Sequence, residues 1–326
     1  MRTPRALAGL ALIAALAAAC SGAAATASPI ASTTPPPSVA PSTAVVSTAP
    51  STAPSEAATP SPTANACAAA NLTLKTAGKL TIGTDNPAYP PYYAPRAGGN
   101  TKPWSKDGGD PTTGEGFESA VAYAVAKQLG FTTDQVVWTV VPFNNSYQPG
   151  PKPFDFYLAQ VSYTDARAKA VDMSDGYYFV AQSVVAMKGS ALEKVTSIAG
   201  MKGFKFGAQV GTTAYDAIKN VIAPSTSPSV YNDNDAAIKA LQAKQIDGLV
   251  VDLPTAFYIT AVQVDHGKVL QFPAVEGGEH FGMVFAKGNP LAGCVNKALS
   301  TLEANGTLAR IQQQWLAKAT GAPVLK

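Results

Sequence analysis

Histidine is almost missing from this chain. Of 326 residues only His266 and His280 carry an imidazole. Neither has a Cys, His or Asp partner at metal-ligand spacing, so a zinc site is not expected. There is no G-x-S-x-G elbow, no Walker A lysine loop and no G-x-G-x-x-G opening a helix after a strand. That removes the common signatures of serine hydrolases, P-loop NTPases and dinucleotide enzymes, and nothing calls for a cofactor. Paired carboxylates stay open, because such pairs meet in space rather than in sequence. Charge is sparse at 14%, and the 24 basic residues nearly match the 21 acidic ones. The match tightens once Arg2 and Arg5 leave with a leader, so no nucleic-acid footprint is present. No period of 20 to 50 residues repeats, which argues against a solenoid or propeller.

Long apolar runs are scarce as well. The run over residues 6–19 follows a short basic start and is too short for a comfortable membrane span. With small residues before it and "CSG" from residue 20, Cys20 resembles the acceptor of a bacterial lipoprotein signal. It would be acylated and become the mature N-terminus at the outer face of the cell membrane; an ordinary secretory signal is the alternative, and the chain is exported in both cases. Residues 21–66 are dominated by Ala, Ser, Thr and Pro, as in "TTPPPS" and "STAPSTAPS". Such a segment buries too little apolar surface to offset its ordering entropy and is expected to be a disordered tether. Cysteine numbers only three. With Cys20 assigned to the signal, Cys67 and Cys294 are an even pair in an oxidising compartment and are expected to bond. Two free buried thiols are the other arrangement.

The remainder is long enough for two ordinary domains, and a 46% hydrophobic fraction can fill their cores. From residue 79 short apolar runs alternate with amphipathic segments, which points to α/β architecture. "KLTIGT" and "VVWTVV" read as strands. Phe117, Val121, Val125 and Leu129 recur every four residues as one helix stripe that Gly130 can end. "FKFGAQVGTTAYDAIKNVI" reads as strand, turn and helix. "NDNDAAIKALQAKQIDG" opens with capping residues ahead of the strand "GLVVD", and two helical patterns close the chain.

Three short motifs carry the chemistry. In "QVSYTDARAKAVDMS", Ser162 and the capping Thr164 precede Arg167 near a helix start, where the dipole is already positive and a basic residue is better explained by an anion it reaches. A surface pairing with Asp165 or Asp172 is the plain alternative. In "QVGTTA", Gly211 turns the chain and Thr212 and Thr213 begin a helix, offering hydroxyls and free N–H groups to an anion or simply an N-cap. "GLVVDLPTA" delivers Asp252 from a buried strand with no evident counter-charge, a costly arrangement unless a cation faces it. Its plain alternative is a cap on the helix that follows. An amino acid zwitterion answers all three motifs, its carboxylate toward Arg167 and its ammonium toward Asp252.

In the same order, "KLTIGTDNPAYPPYY", "GEGFESAVAYAVAKQLGF", "FDFYLAQVSYTDARAKAVDMSDGYY", "KFGAQVGTTA", "IDGLVVDLPTA", "FGMVFAKGNPL" and "NGTLARIQQQW" resemble the bacterial extracellular solute-binding proteins of polar amino acid ABC transporters, family 3. The resemblance implies a two-lobed, type II periplasmic-binding-protein-like α/β fold crossed twice by the chain. Residues 68–181 with 282–326 would form the first lobe and 182–281 the second. It implies that Arg167 grips the ligand carboxylate, that Ser162, Thr212 and Thr213 assist, and that Asp252 takes the ammonium. Asp85, Tyr89, Tyr92, Glu118 and Phe143 would line the first-lobe half, with Gln160 beside Ser162. The partners implied are an amino acid and a membrane permease, the protein acting as a monomer and not as an enzyme. An enzyme of the cyclohexadienyl dehydratase kind, with Glu118 or Asp85 as general acid, and a sensor for a partner kinase are the competing readings. Expanded loops at "NTKPWSKDGGDPTTGEG" and "PFNNSYQPGPKPFDFYLAQ" depart from the family pattern.

Overall fold

The computed structural model describes residues 65–273, 278–317 and 321–326. The signal segment, the lipid acceptor Cys20 and the tether as far as residue 64 lie outside the described residues.

Two five-stranded sheets organise the chain. The first has the order Val136–Val140, Leu80–Thr84, Phe156–Tyr157, Val284–Phe285 and Asp172–Met173. Its first three strands run parallel, and Val284–Phe285 lies antiparallel to both of its neighbours. The second has the order Lys268–Gln271, Gln182–Ala186, Gly248–Asp252, Phe206–Gln209 and Ser229–Tyr231. Between them in sequence run Tyr178–Val180 and Glu279–Phe281, which pair antiparallel as a separate two-stranded ladder. The chain thus passes from one sheet to the other and back along adjacent connecting strands.

Local patterning explains these elements. The four-residue stripe forms the helix Phe117–Gln128, with Phe117, Val121 and Val125 buried against Leu80, Ile82, Leu299 and Leu302. Gly130 follows at φ +89°, as a helix end favours. In the second sheet Val184 and Val250 pack into one cluster with Phe206 and Leu270, while Val185, Leu249 and Val251 pack into another with Ile238 and Leu241. The strand Gly248–Asp252 is therefore covered on both faces, which is why "GLVVD" is continuously apolar instead of alternating. Asp233 caps the helix Asn234–Gln242 by accepting from Ala236 N. The two terminal patterns form Leu291–Ala304 and Thr307–Leu316.

Cys67 and Cys294 form a disulfide across a sequence separation of 227. Residues 321–326 differ from the expected return to the first lobe. Val324 pairs with Gln271, Leu325 N donates to Gln271 O, and Leu325 is buried with Phe206, Leu270 and Phe272. An unsatisfied sheet edge beside an apolar pocket draws this tail to the second lobe.

Candidate functional site

A cleft between the lobes encloses about 670 Å³ of space, its open mouth included, and takes its walls from both sides. Asp85, Tyr89, Phe143, Gln160, Ser162 and Arg167 line it from the first lobe. Thr212, Thr213, Asn234, Asp252 and Thr255 line it from the second.

Arg167 stands on the short helix Asp165–Ala170, whose cap Thr164 accepts from Arg167 N. Its guanidinium donates to Ser162 O at 2.5 Å and, across the cleft, to Gly211 O at 2.8 Å. It lies 4.6 Å from the Tyr147 ring centroid and 5.5 Å from that of Phe143, a cation-π bracket. Burial lowers its pKa, and among the described residues no carboxylate pairs with it within ion-pair distance. The anticipated surface pairing with Asp165 or Asp172 is not formed; Asp172 pairs with Lys287 instead. Gly211 has φ +73°, which favours glycine, and a Cβ there would press on the side-chain ends of Asn144 and Tyr147 across the cleft.

Asp252 precedes the helix Leu253–Tyr258 but makes no side-chain cap bond to it. Its carboxylate accepts from Gln182 Nε2 at 2.7 Å. Burial, and next the neighbouring Glu279, push its pKa well above the ordinary carboxylate range. No basic side chain pairs with it among the described residues.

Between these two poles sits Glu279, at the start of a connecting strand. Ser162 Oγ and Thr213 Oγ1 both donate to its Oε1, the latter at 2.6 Å. Gln182 Nε2 reaches its two oxygens at 3.2 and 3.0 Å. Among the described residues, Gln182 Oε1 is buried without a hydrogen-bond partner. Thr212 acts closer to home, its hydroxyl donating to Gln209 O and accepting from Tyr215 N as the cap of Thr213–Ala217.

The remaining first-lobe candidates separate into two groups. Asp85 lines the cleft with its pKa raised by burial, and Tyr89 lines it with its buried hydroxyl turned toward Asp235. Tyr92 belongs to the core, packed edge-on against Phe117 and Phe281. Glu118 is fully buried behind the cleft wall. It accepts from Gln160 N, Gln160 Nε2 and Tyr177 Oη, and burial pushes its carboxyl up to about 7. Those bonds hold Gln160 at φ +55°, a left-handed conformation that costs on the order of 1 kcal/mol outside glycine.

Glu279, Gln182 and Tyr147 do not stand out in the sequence motifs. Gln182 opens the apolar strand Gln182–Ala186 as its first and polar residue, and Glu279 stands two residues before "FGMVF". Neither carries a local signal: Gln182 is followed by a second polar residue, Ser183, and Glu279 opens a strand that is only partly buried.

A family model described as bacterial extracellular solute-binding proteins, family 3, matches residues 80–318. The ABC transporter glutamine-binding protein GlnH of Bacillus subtilis is 27% identical over 213 residues, covering 64% of this chain and 75% of that protein. The arginine-binding extracellular protein ArtP of Bacillus subtilis is 26% identical over 219 residues, covering 66% and 82%. Among solved structures, an ancestral arginine-binding protein bound to glutamine superposes with a TM-score of 0.60 at 27% identity, covering 74% of this chain and 99% of that one.

Proposed function

We propose, because the chain belongs to the bacterial extracellular solute-binding proteins, family 3, that it holds a free amino acid by dividing the two charges of the zwitterion between its lobes. Its role is that of an amino acid-binding component of ABC transport. The observation that carries the binding mode is a pair of opposite, unpaired charges on facing walls: Arg167 on one lobe and Asp252 on the other. A ligand carboxylate suits Arg167 with Ser162 and Thr213, and an ammonium suits Asp252 with the unpartnered Gln182 Oε1. Bonds that need both walls form only when the lobes are together, so binding energy drives closure and closure marks the loaded protein for a permease.

The side-chain end of the cleft favours a cation. Asp85 lines it, and the fields of Asp233 and Asp235 reach Asp85 and Tyr89. A cationic amino acid therefore fits better than a neutral one, and an acidic one least. Tyr89 and Phe143 cover the aliphatic stem. Lobes divided as 68–181 with 282–317, and 182–281 with 321–326, accord with the sheets. Export, with a lipid anchor at Cys20 and the protein working as a monomer, completes the reading.

Binding without turnover is the better account of the acids present. Glu118 has a carboxyl poised near neutrality, but Gln160 and Tyr177 seal it away from the cleft. A thermal-shift screen of the twenty amino acids tests the proposal, since a ligand at a hundred times its Kd stabilises by about 2.7 kcal/mol. Stabilisation by arginine or lysine above glutamine and glutamate is expected. No response to any of the twenty, or product formation from an arogenate-like substrate, would overturn it.

A further inference from the structure

The seat assigned to the ligand carboxylate already holds a carboxylate. Ser162 Oγ and Thr213 Oγ1, one from each lobe, converge on Glu279 Oε1, and Gln182 Nε2 donates to both of its oxygens. The backbone of Glu279 is fixed by its pairing with Val180, so the side chain enters from a strand and not from a loose loop. We propose that Glu279 supplies from the protein the carboxylate that an amino acid would otherwise bring, so that beside amino acids the cleft also takes primary amines lacking a carboxylate, their decarboxylated counterparts. The proposal rests on the reading of Ser162, Thr213 and Arg167 as a carboxylate seat.

The balance of donors and acceptors carries it. With Glu279 seated, Asp252 and Glu279 share the two hydrogens of one amide group, Gln182 Nε2. Beside them Gln182 Oε1, on a residue only 7% exposed, meets no donor among the described residues. Arg167 directs its donors to the carbonyls of Ser162 and Gly211, not to either acid. Two carboxylates and a bare amide oxygen in one enclosed spot call for a cation with several N–H groups. An amine brings that cation and leaves Glu279 where it is. An amino acid brings the same cation with a second carboxylate, which must displace Glu279 from Ser162, Thr213 and Gln182 before it can reach them. Glu279 is thus a specificity-determining residue: it weakens binding of the acid relative to the matching amine.

Calorimetry on the full chain with two matched pairs, arginine with agmatine and lysine with cadaverine, tests this in the wild type and in Glu279→Gln and Glu279→Ala. The wild type is expected to bind at least one of the two amines. In both variants the ratio of amine to amino acid affinity should fall at least tenfold, through tighter binding of the acid and weaker binding of the amine. A wild type that binds neither amine overturns the proposal, even where a variant fails to fold. So does a ratio that stays within twofold or moves the other way. Arg167→Ala run in parallel separates the two layers. Lost arginine affinity there, with an unmoved ratio in the Glu279 variants, removes this proposal alone, whereas unchanged arginine affinity removes the carboxylate seat itself.

Discussion

Two buried aspartates of the same chain have opposite surroundings. Asp110, in the expanded loop before the helix Phe117–Gln128, is fully buried and accepts from Arg96 Nε, from the amide and hydroxyl of Thr101, and from the amide and hydroxyl of Thr112. Burial alone would raise its pKa, but the bonds from Arg96, Thr112 and Thr101 hold it well below the usual carboxylate range. Asp252, on the cleft wall, has one amide donor and another acid for a neighbour, and its pKa lies well above that range. The loop completes its own charge; the cleft leaves one incomplete. An acid that the fold fully satisfies is holding structure together, and an acid left with a single donor is where the proposed ligand would bring the missing charge.

Substitutions can break that contrast or sharpen it. The largest effect is expected at Asp110→Ala, which strands Arg96 and four further donors and should lower unfolding free energy by about 3–5 kcal/mol in denaturant titration. Amino acid affinity should stay within a few fold, and a selective loss of affinity would erase the distinction. Next come Arg167→Ala and Asp252→Ala, each weakening amino acid binding by about 2–5 kcal/mol in calorimetry. Unlike Asp110→Ala, Asp252→Ala should leave the Tm of the unliganded protein equal or higher, because it removes a buried acid that nothing neutralises.

Glu118 lies between the extremes, fully hydrogen-bonded yet shifted up to about 7. Its folded pKa exceeds the unfolded value of 4.5, so the folded state holds the proton longer. Its contribution is constant below about pH 4.5, declines as pH rises from there to 7, and is level above. Relative to Glu118→Gln, the wild type should lose on the order of 3 kcal/mol over that window, read from urea midpoints at each pH. A difference that does not vary with pH would mean that Glu118 is already ionised. Gly211→Ala should weaken amino acid binding by about 1–2 kcal/mol, since φ +73° and contact with Asn144 and Tyr147 both oppose the added methyl. Scattering that shows a more open molecule would report the same wedge. Smallest is Asp85→Asn, expected to cost arginine about 1 kcal/mol and glutamine nothing measurable.

Much of the scaffold could be read from residue order because its signals are local. The four-residue stripe of Phe117, Val121 and Val125 needs only its own helix to be visible, and the unbroken "GLVV" needs only its own strand. The poles of the cleft were legible for a similar reason. Arg167 at a helix start and Asp252 at the end of an apolar run are out of place within their own segments. Glu279 and Gln182 are not. Their meaning comes from partners 117 and 97 residues away along the chain, and no local pattern encodes such a meeting. Glu118 shows the converse. An acid after "GF" at the front of the helix Phe117–Gln128 looks like a ligand contact, yet the left-handed turn at Gln160 takes up its oxygens. Backbone conformation at a non-glycine residue leaves no mark in composition, and neither did the pull of Leu325 toward the far lobe.

The sulfur link between Cys67 and the helix Leu291–Ala304 has a mechanical consequence. Tension applied at residue 65 would run through that link into a helix packed on the first lobe and stop there. That route enters the first lobe and bypasses Tyr178–Val180 and Glu279–Phe281, the paired strands that connect the two sheets. A pull at residue 65 is therefore taken up within one lobe, and the two connecting strands carry none of the load that passes through the sulfur link.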